Sequence, residues 1–175
     1  MRRSTLLFTA ISFLGLAGTA QACDFDAATG KAPPLKFPAL LLPHGPSQSP
    51  RNEDAAHNVI GTWLVDYVVN GATVVQALVQ WHPDGTEWQS GTQPVASGNI
   101  CVGSWKSVDG KHVSRYHMGW LFTDGVVSGY AIETETNRVS SKGTYAGDFD
   151  TKYYDKDGNL TKEVVGTTSG AKFSP

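Results

Sequence analysis

Short runs of hydrophobic and polar residues, separated by tight-turn dipeptides, fill the chain from Val59 onward. The runs are rich in Val, Thr, Trp and Tyr, which favour β-strands. The dipeptides are Asn-Gly or Asp-Gly, which supply the positive φ angles that two-residue hairpins need. The pattern therefore predicts consecutive antiparallel hairpins without an amphipathic helix. The dipeptides begin at Asn70, Asp84, Asp109, Asp124 and Asp157.

About eight strands with these connections predict an all-β fold, a single antiparallel up-and-down β-barrel, because closure removes exposed sheet edges. The barrel domain is expected at residues 58–175, after a Pro-rich segment at residues 23–57 whose prolines forbid central strand pairing. Within that segment, "FPALLLP" is too apolar for a free linker and predicts a stretch that wraps the barrel. "RNEDAAHN" predicts a turn of helix before the first strand.

Two-residue turns would fix which side chains share a face of the sheet. A turn at Asn70-Gly71 sets Trp63 opposite Leu78, and the next hairpin brings Trp88 beside Gln80. The inward face then combines aromatic walls with a few amides and an imidazole, as a small-molecule cavity requires. The predicted ligand-binding residues are Trp63, Tyr67, Gln76, Gln80, His82, Trp88, Trp105, Tyr116, Met118, Trp120 and Tyr130.

The opposite face of the first two strands is also apolar in this register. A sheet with one wet face alternates hydrophobic and polar residues, so a second apolar face predicts a cover. The cover is either "FPALLLP" or a second copy of the chain in a homo-oligomer. The predicted outer residues are Ile60, Leu64, Val75, Ala77, Val79 and Trp81.

A two-residue turn at Asp109-Gly110 sets Trp105 opposite Ser114. Cys101 and His117 then lie on opposite faces of the sheet, which disfavours a metal or catalytic site that uses both. His82 is in this register the only inward histidine.

The amino-terminal residues 1–22 have the pattern of a signal peptide: two arginines, an apolar core and a small-residue "AQA" cleavage site. We therefore expect a secreted or periplasmic protein whose mature chain starts at Cys23. In an oxidising compartment a Cys23–Cys101 disulfide is one expectation. A lipid anchor on Cys23 is the alternative, disfavoured because Ala20 stands where a lipobox usually has Leu.

The formal net charge is −2, without a long acidic or basic run, which argues against nucleic acid or an anionic membrane as partner. The five histidines lack metal-ligand spacing, so no metal site is predicted. No phosphate loop, dinucleotide fingerprint or nucleophile elbow is present, and we expect no cofactor.

The stretch "NVIGTWLVDY" resembles the G-x-W opening strand of lipocalins and other calycin barrels, with Gly61 and Trp63 at the motif positions. The later "GSWKSV" and "YHMGWLFTDG" are similar to lipocalin-like and allene-oxide-cyclase-like secreted bacterial barrels. The resemblance implies a barrel over Val59 to Phe173, with Trp63 packed at its closed end.

These observations lead to three hypotheses. The first is an exported barrel that binds a small apolar or aromatic molecule in a Trp- and Tyr-lined cavity. The second is a cofactor-free isomerase, cyclase or lyase of the allene-oxide-cyclase-like kind, in which His82, Glu87 or Tyr116 moves a proton. The third is a structural or interaction protein whose barrel is filled by its own side chains. No catalytic residue is assigned.

Overall fold

The computed structural model describes residues 54–173. A short helix, α1 (Asp54–Val59), precedes eight strands: β1 (Gly61–Val69), β2 (Ala72–Trp81), β3 (Thr86–Gly91), β4 (Ile100–Ser107), β5 (His112–Thr123), β6 (Val126–Val139), β7 (Thr144–Asp155) and β8 (Leu160–Lys172). A 3-10 turn, Val95–Ser97, connects β3 to β4. The predicted turn of helix and all eight strands are thus present. The predicted signal peptide, Cys23, "FPALLLP" and most of the Pro-rich segment lie outside the described residues.

Each strand pairs antiparallel with the next, and β8 pairs with β1 to close the sheet. The predicted all-β, up-and-down barrel is therefore confirmed. Asn70-Gly71 and Asp124-Gly125 have positive φ angles at both residues, as tight hairpins require.

One end of the barrel, which we call the closed end, is covered by α1. Ala55, Ala56 and Val59 of this helix are buried in the hydrophobic core. The indole Nε1 of Trp63 donates a hydrogen bond of 2.6 Å to the backbone oxygen of Val59. The core at this end consists mainly of large side chains from the strands: Trp63, Val65, Trp81, Trp105, Val113 and Tyr145.

The predicted register of β2 is wrong by one residue. Val69 pairs with Ala72 as expected, but Tyr67 pairs with Val75 while Val68 pairs with Thr73, so Val74 is an extra residue in a β-bulge. Beyond such a bulge every side chain of the strand changes face.

The predicted aliphatic outer face is consequently wrong. Ala77, Val79 and Trp81 lie in the core, and Val75 packs against it. Ile60 also packs against the core, whereas Leu64 is exposed. Whether the chain forms a homo-oligomer stays a prediction.

The register of β4 with β5 also differs by one residue, because the turn is longer than predicted. Gly110 is not among the residues with positive φ, and the backbone nitrogen of Val108 donates to the oxygen of His112 across a three-residue loop. Trp105 therefore pairs with Arg115 rather than Ser114.

Candidate functional site

A layer of buried polar side chains crosses the middle of the barrel interior. We call it the polar belt. Every member is less than a tenth exposed. Burying polar or charged groups is costly unless they have hydrogen-bond or ion-pair partners. The partners of each side chain therefore determine its charge and its chemistry. The polar belt consists of Tyr67, Glu87, Gln89, Arg115, His117, Glu133, Glu135, Asn137, Thr151 and Thr168.

Strand pairing places these side chains in rows. Arg115 pairs with Glu135, and His117 pairs with Glu133, across β5 and β6. His117 faces Gly103 on β4. A Cβ atom at Gly103 would lie 2.5 Å from the Cα of His117 and 2.2 Å from the backbone oxygen of Tyr116. Glycine at this position therefore lets β4 approach the strand that carries His117.

Arg115 is the hub of the polar belt. One of its terminal nitrogens lies 3.2 Å from Glu87, and the other donates to Glu135 and to the hydroxyl of Tyr67. Its guanidinium carbon lies 5.4 Å from the centre of the Trp81 ring, within cation–π range. The Arg115 side chain is completely buried. Through its contact with Trp81 it joins the polar belt to the closed-end core.

His117 lies between two carboxylates. Its Nδ1 is 3.0 Å from Glu87 and its Nε2 is 2.9 Å from Glu133. Carboxylates only accept, so both ring nitrogens must carry a proton. Burial and nearby Arg115 oppose this charge, but the two glutamates outweigh them and raise the pKa of His117 to about 9. The imidazolium therefore has no lone pair for use as a general base.

The pKa values of the two β6 glutamates shift in opposite directions. Burial alone would raise the pKa of Glu133, but His117 and Arg115 outweigh it and lower that pKa to about 2. For Glu135, burial outweighs Arg115, and the charge of Glu133 adds to it, so its pKa is raised. Asn137 donates to Glu135 at 2.6 Å and Thr151 donates to Glu133 at 2.6 Å, which ties both carboxyl groups into the polar belt.

Beyond the polar belt, away from α1, most of the inward side chains are small or aliphatic and only partly buried, and Tyr153 is the aromatic one among them. We call this region the open chamber. The side chain of Glu133 forms part of its floor, being 11% exposed, and Lys162 lies over the ring of Tyr153 at the mouth. The chamber walls are formed by Val69, Val75, Cys101, Gly119, Ala131, Tyr153 and Val164.

The Cys101 thiol lies in the open chamber, above Gly119. Burial and the negative charge of Glu133 and Glu87 raise its pKa to about 12. Because the thiolate is the nucleophile, this raised pKa disfavours nucleophilic chemistry of the thiol at neutral pH. Whether it pairs with Cys23 stays a prediction, because Cys23 lies outside the described residues.

The predicted placement of Cys101 and His117 on opposite faces is wrong. The one-residue change between β4 and β5 turns both side chains inward, where His117 faces Gly103 and Cys101 faces Gly119. His82, predicted to be the inward histidine, is instead exposed beside the β2–β3 turn.

Three of the predicted ligand-binding residues do point inward: Trp63, Tyr67 and Trp105. Trp63 and Trp105 belong to the closed-end core, and Tyr67 belongs to the polar belt, where it lies 2.6 Å from Gln89. The expected pairing of Gln80 with Trp88 is confirmed, but both lie on the outer face. The inward placement is wrong for Gln76, Gln80, His82, Trp88, Tyr116, Met118, Trp120 and Tyr130.

Several of these aromatic residues form a patch on the outside of β5, β6 and β7. Tyr116 is 36% and Trp120 is 40% exposed, whereas Tyr130 is completely buried and stacks on Tyr154 at 5.1 Å. Of the three proton-handling candidates, His82 and Tyr116 therefore point outward, and Glu87 is held in the polar belt by Arg115 and His117.

Most of the polar belt was missed from the sequence, the exceptions being Tyr67 and Glu87. A signal was present in "ETETNR", residues 133–138, where polar residues occupy both faces of a barrel strand. Either register of this strand places charged or amide side chains inside the barrel. Charged groups of that kind require partners from neighbouring strands, which Arg115 and His117 provide.

Within residues 54–173, no group of three or more His, Cys, Asp or Glu side chains is arranged to hold a metal ion. The same residues include no helix long and apolar enough to cross a membrane. Comparison of the chain with protein-family models, with curated proteins and with solved structures finds no match.

Proposed function

We propose that this protein is an exported small-molecule-binding β-barrel, and that its ligand occupies the open chamber. One observation carries the proposal: inward side chains are buried from the closed end to the polar belt, but those beyond the belt are only partly buried. A barrel filled by its own side chains would bury inward residues along its whole length. The exported location rests on the signal-peptide pattern of residues 1–22.

The chamber walls favour an apolar ligand body. Val69, Val75 and Val164 pack against the hydrophobic core while remaining partly exposed, and Ala131 is a small, half-buried residue at an inward position of β6. Aliphatic walls with few polar groups are typical of sites for small organic molecules. We therefore propose the chamber residues as the ligand-binding residues in place of those predicted from the sequence. Trp63 and Trp105 belong instead to the closed-end core.

The floor of the chamber favours a ligand head that donates a hydrogen bond. Glu133 is ionised, and its Oε1 accepts from His117 and Arg115. Its Oε2 accepts from Thr151, and the carboxylate also makes a side-chain hydrogen bond with Glu135. The 11% of this side chain that is exposed lies at the chamber floor, where a carboxylate can accept a hydrogen bond from an amine, amide or hydroxyl group. Glu133 thus supplies orientation while the walls supply affinity.

We also propose that the barrel is lipocalin-like. The support is the G-x-W sequence at the start of β1 and the position of Trp63, whose indole is hydrogen-bonded to the helix that covers the closed end. This arrangement leaves the other end of the barrel for ligand access.

The test uses N-phenyl-1-naphthylamine, a fluorescent probe with an apolar body and one N–H donor. We expect saturable binding to the mature protein, abolished by Ala131→Leu, which fills the chamber. Thr134→Leu is the matched control, because it adds the same side chain to the outer face of the same strand. Equal binding by both variants, or none by the wild type, would overturn the proposal. Native mass spectrometry of protein purified from its own host then identifies the class of natural ligand.

A further inference from the structure

A groove at the closed end combines two adjoining pockets of about 880 Å³ and 330 Å³. Both pockets are lined by Asn58, Ser140 and Ser141. The remaining lining comes from the β4–β5 loop, the β6–β7 turn and the end of β8. The groove is separated from the open chamber by the closed-end core and the polar belt.

The groove is positively charged, whereas the whole chain is slightly acidic. The whole sequence has 14 Lys and Arg against 16 Asp and Glu, yet four cationic residues and no acidic one are among the lining residues that the structure describes. Asp109, next to the lining residue Gly110, is engaged by the ring of His112 at 2.9 Å and by the backbone nitrogen of Lys111. The cations are Lys111, Arg138, Lys142 and Lys172.

The uncharged lining adds hydrogen-bond donors. Ser141 and Thr144 contribute hydroxyl groups, and Ser140 orients the β6–β7 turn by accepting a hydrogen bond of 3.0 Å from the backbone nitrogen of Lys142. The ammonium of Lys172 is held at the groove by the backbone oxygen of Asn58 at 3.2 Å. A hydrogen bond therefore holds the ammonium of Lys172 and another holds the backbone of Lys142.

We propose that this groove binds a small molecule bearing a tetrahedral oxyanion, a phosphate or sulfate ester. Arginine, lysine and hydroxyl groups together satisfy the several acceptor oxygens of such a group through charge-assisted hydrogen bonds. The larger pocket exceeds the size of a single ion and falls within the range of organic ligand sites. This site is independent of the open chamber, so each of the two proposals can be overturned without affecting the other.

The experiment titrates the mature protein with p-nitrophenyl phosphate at low ionic strength and follows backbone amide NMR signals. We expect saturable shifts at Lys111, Ser141 and Thr144, and none at Ala131 in the open chamber. Added salt weakens the binding, because exposed charges are screened. The absence of shifts at the groove overturns the proposal, as does binding that salt leaves unchanged.

The matched variants carry exposed substitutions that leave the core intact. Arg138→Glu combined with Lys142→Glu is expected to weaken binding at least tenfold. Lys156→Glu, an exposed charge reversal beside Asp157 at the other end of the barrel, is expected to leave it unchanged. Equal weakening by both proteins contradicts the site. p-Nitrophenyl sulfate distinguishes the two esters: tighter phosphate binding assigns a phosphate ester, and binding at least as tight by the sulfate assigns a sulfate ester.

Discussion

Nε2 of His117 lies 2.9 Å from Oε1 of Glu133, across two paired strands and inside the barrel. Because the other ring nitrogen faces Glu87, the imidazole is held as a cation. This relationship links strands β3, β5 and β6 through charge rather than through apolar contact. It also places an ionised carboxylate at the floor of the open chamber, where the proposed ligand would bind.

The stability of the fold should fall between pH 6.5 and about 9. The pKa of His117 is raised from 6.5 to about 9, so its contribution is fully present below pH 6.5 and is lost as the pH rises through 9. The loss amounts to about 3 kcal/mol at 1.36 kcal/mol per pKa unit. Urea unfolding across this range measures it, and His117→Gln should remove the dependence.

A direct NMR titration of the His117 ring keeps this prediction testable if the variant does not fold. The expected midpoint lies near pH 9. A midpoint near 6.5 in the folded protein, or the same fall in stability in wild type and variant, contradicts the paired-carboxylate account.

Glu133→Gln should destabilise the protein by about 3–5 kcal/mol, the usual cost of removing one partner from a buried ion pair. The variant keeps the shape of the side chain but leaves His117 and Arg115 with less negative charge. Glu163→Gln is the control, because Glu163 is exposed and 3.4 Å from Lys152, and its variant should match the wild type in chemical unfolding. Similar unfolding midpoints for all three proteins would contradict the assigned role of Glu133.

Gly103→Ala should destabilise the barrel by about 3 kcal/mol or more, because its Cβ would overlap the backbone of β5. Gly110→Ala is the matched control, since a Cβ there would meet nothing within 4 Å. We expect the control to stay within about 0.5 kcal/mol of the wild type. Thermal unfolding of the two variants measures both changes, and a tolerated Gly103→Ala would show that β4 does not approach β5 as described.

The fold could be predicted from the sequence because hairpin turns and strand-forming residues are local signals. Asn70-Gly71 and Asp124-Gly125 adopt the expected positive φ angles. The faces could not be predicted reliably, because a single extra residue at Val74 and a longer loop at Gly110 each reverse a strand. Neither feature has a clear mark in the local sequence.

Most of the predicted site residues were placed on the wrong face for the same reason. Trp120 and Tyr116 suggested a cavity wall by their size, yet they lie outside. Arg115 and His117 lie inside because their partners come from β3 and β6, which are distant in sequence. Contacts between strands that are distant in sequence depend on the register of every hairpin between them. An error of one residue in any of these hairpins therefore changes which side chains are predicted to meet.

The proposed ligand head can be tested without altering the protein. N-methyl-N-phenyl-1-naphthylamine has the same rings as the fluorescent probe but lacks its N–H group. If Glu133 accepts that hydrogen, the methylated probe should bind about tenfold more weakly, since a hydrogen bond to a charged group contributes roughly 1.5–3 kcal/mol. Equal affinities in a fluorescence titration would show that the probe makes no such contact.

The most direct measurement is an NMR map of contacts between N-phenyl-1-naphthylamine and the methyl groups of the mature protein. The account predicts intermolecular NOEs to Val75, Ala131 and Val164 in the open chamber. It predicts none to Val102 and Val165, which are exposed on the outer face. Contacts confined to the outer valines, or the absence of any contact at the chamber, would contradict the central claim that this barrel binds a small molecule in its open half.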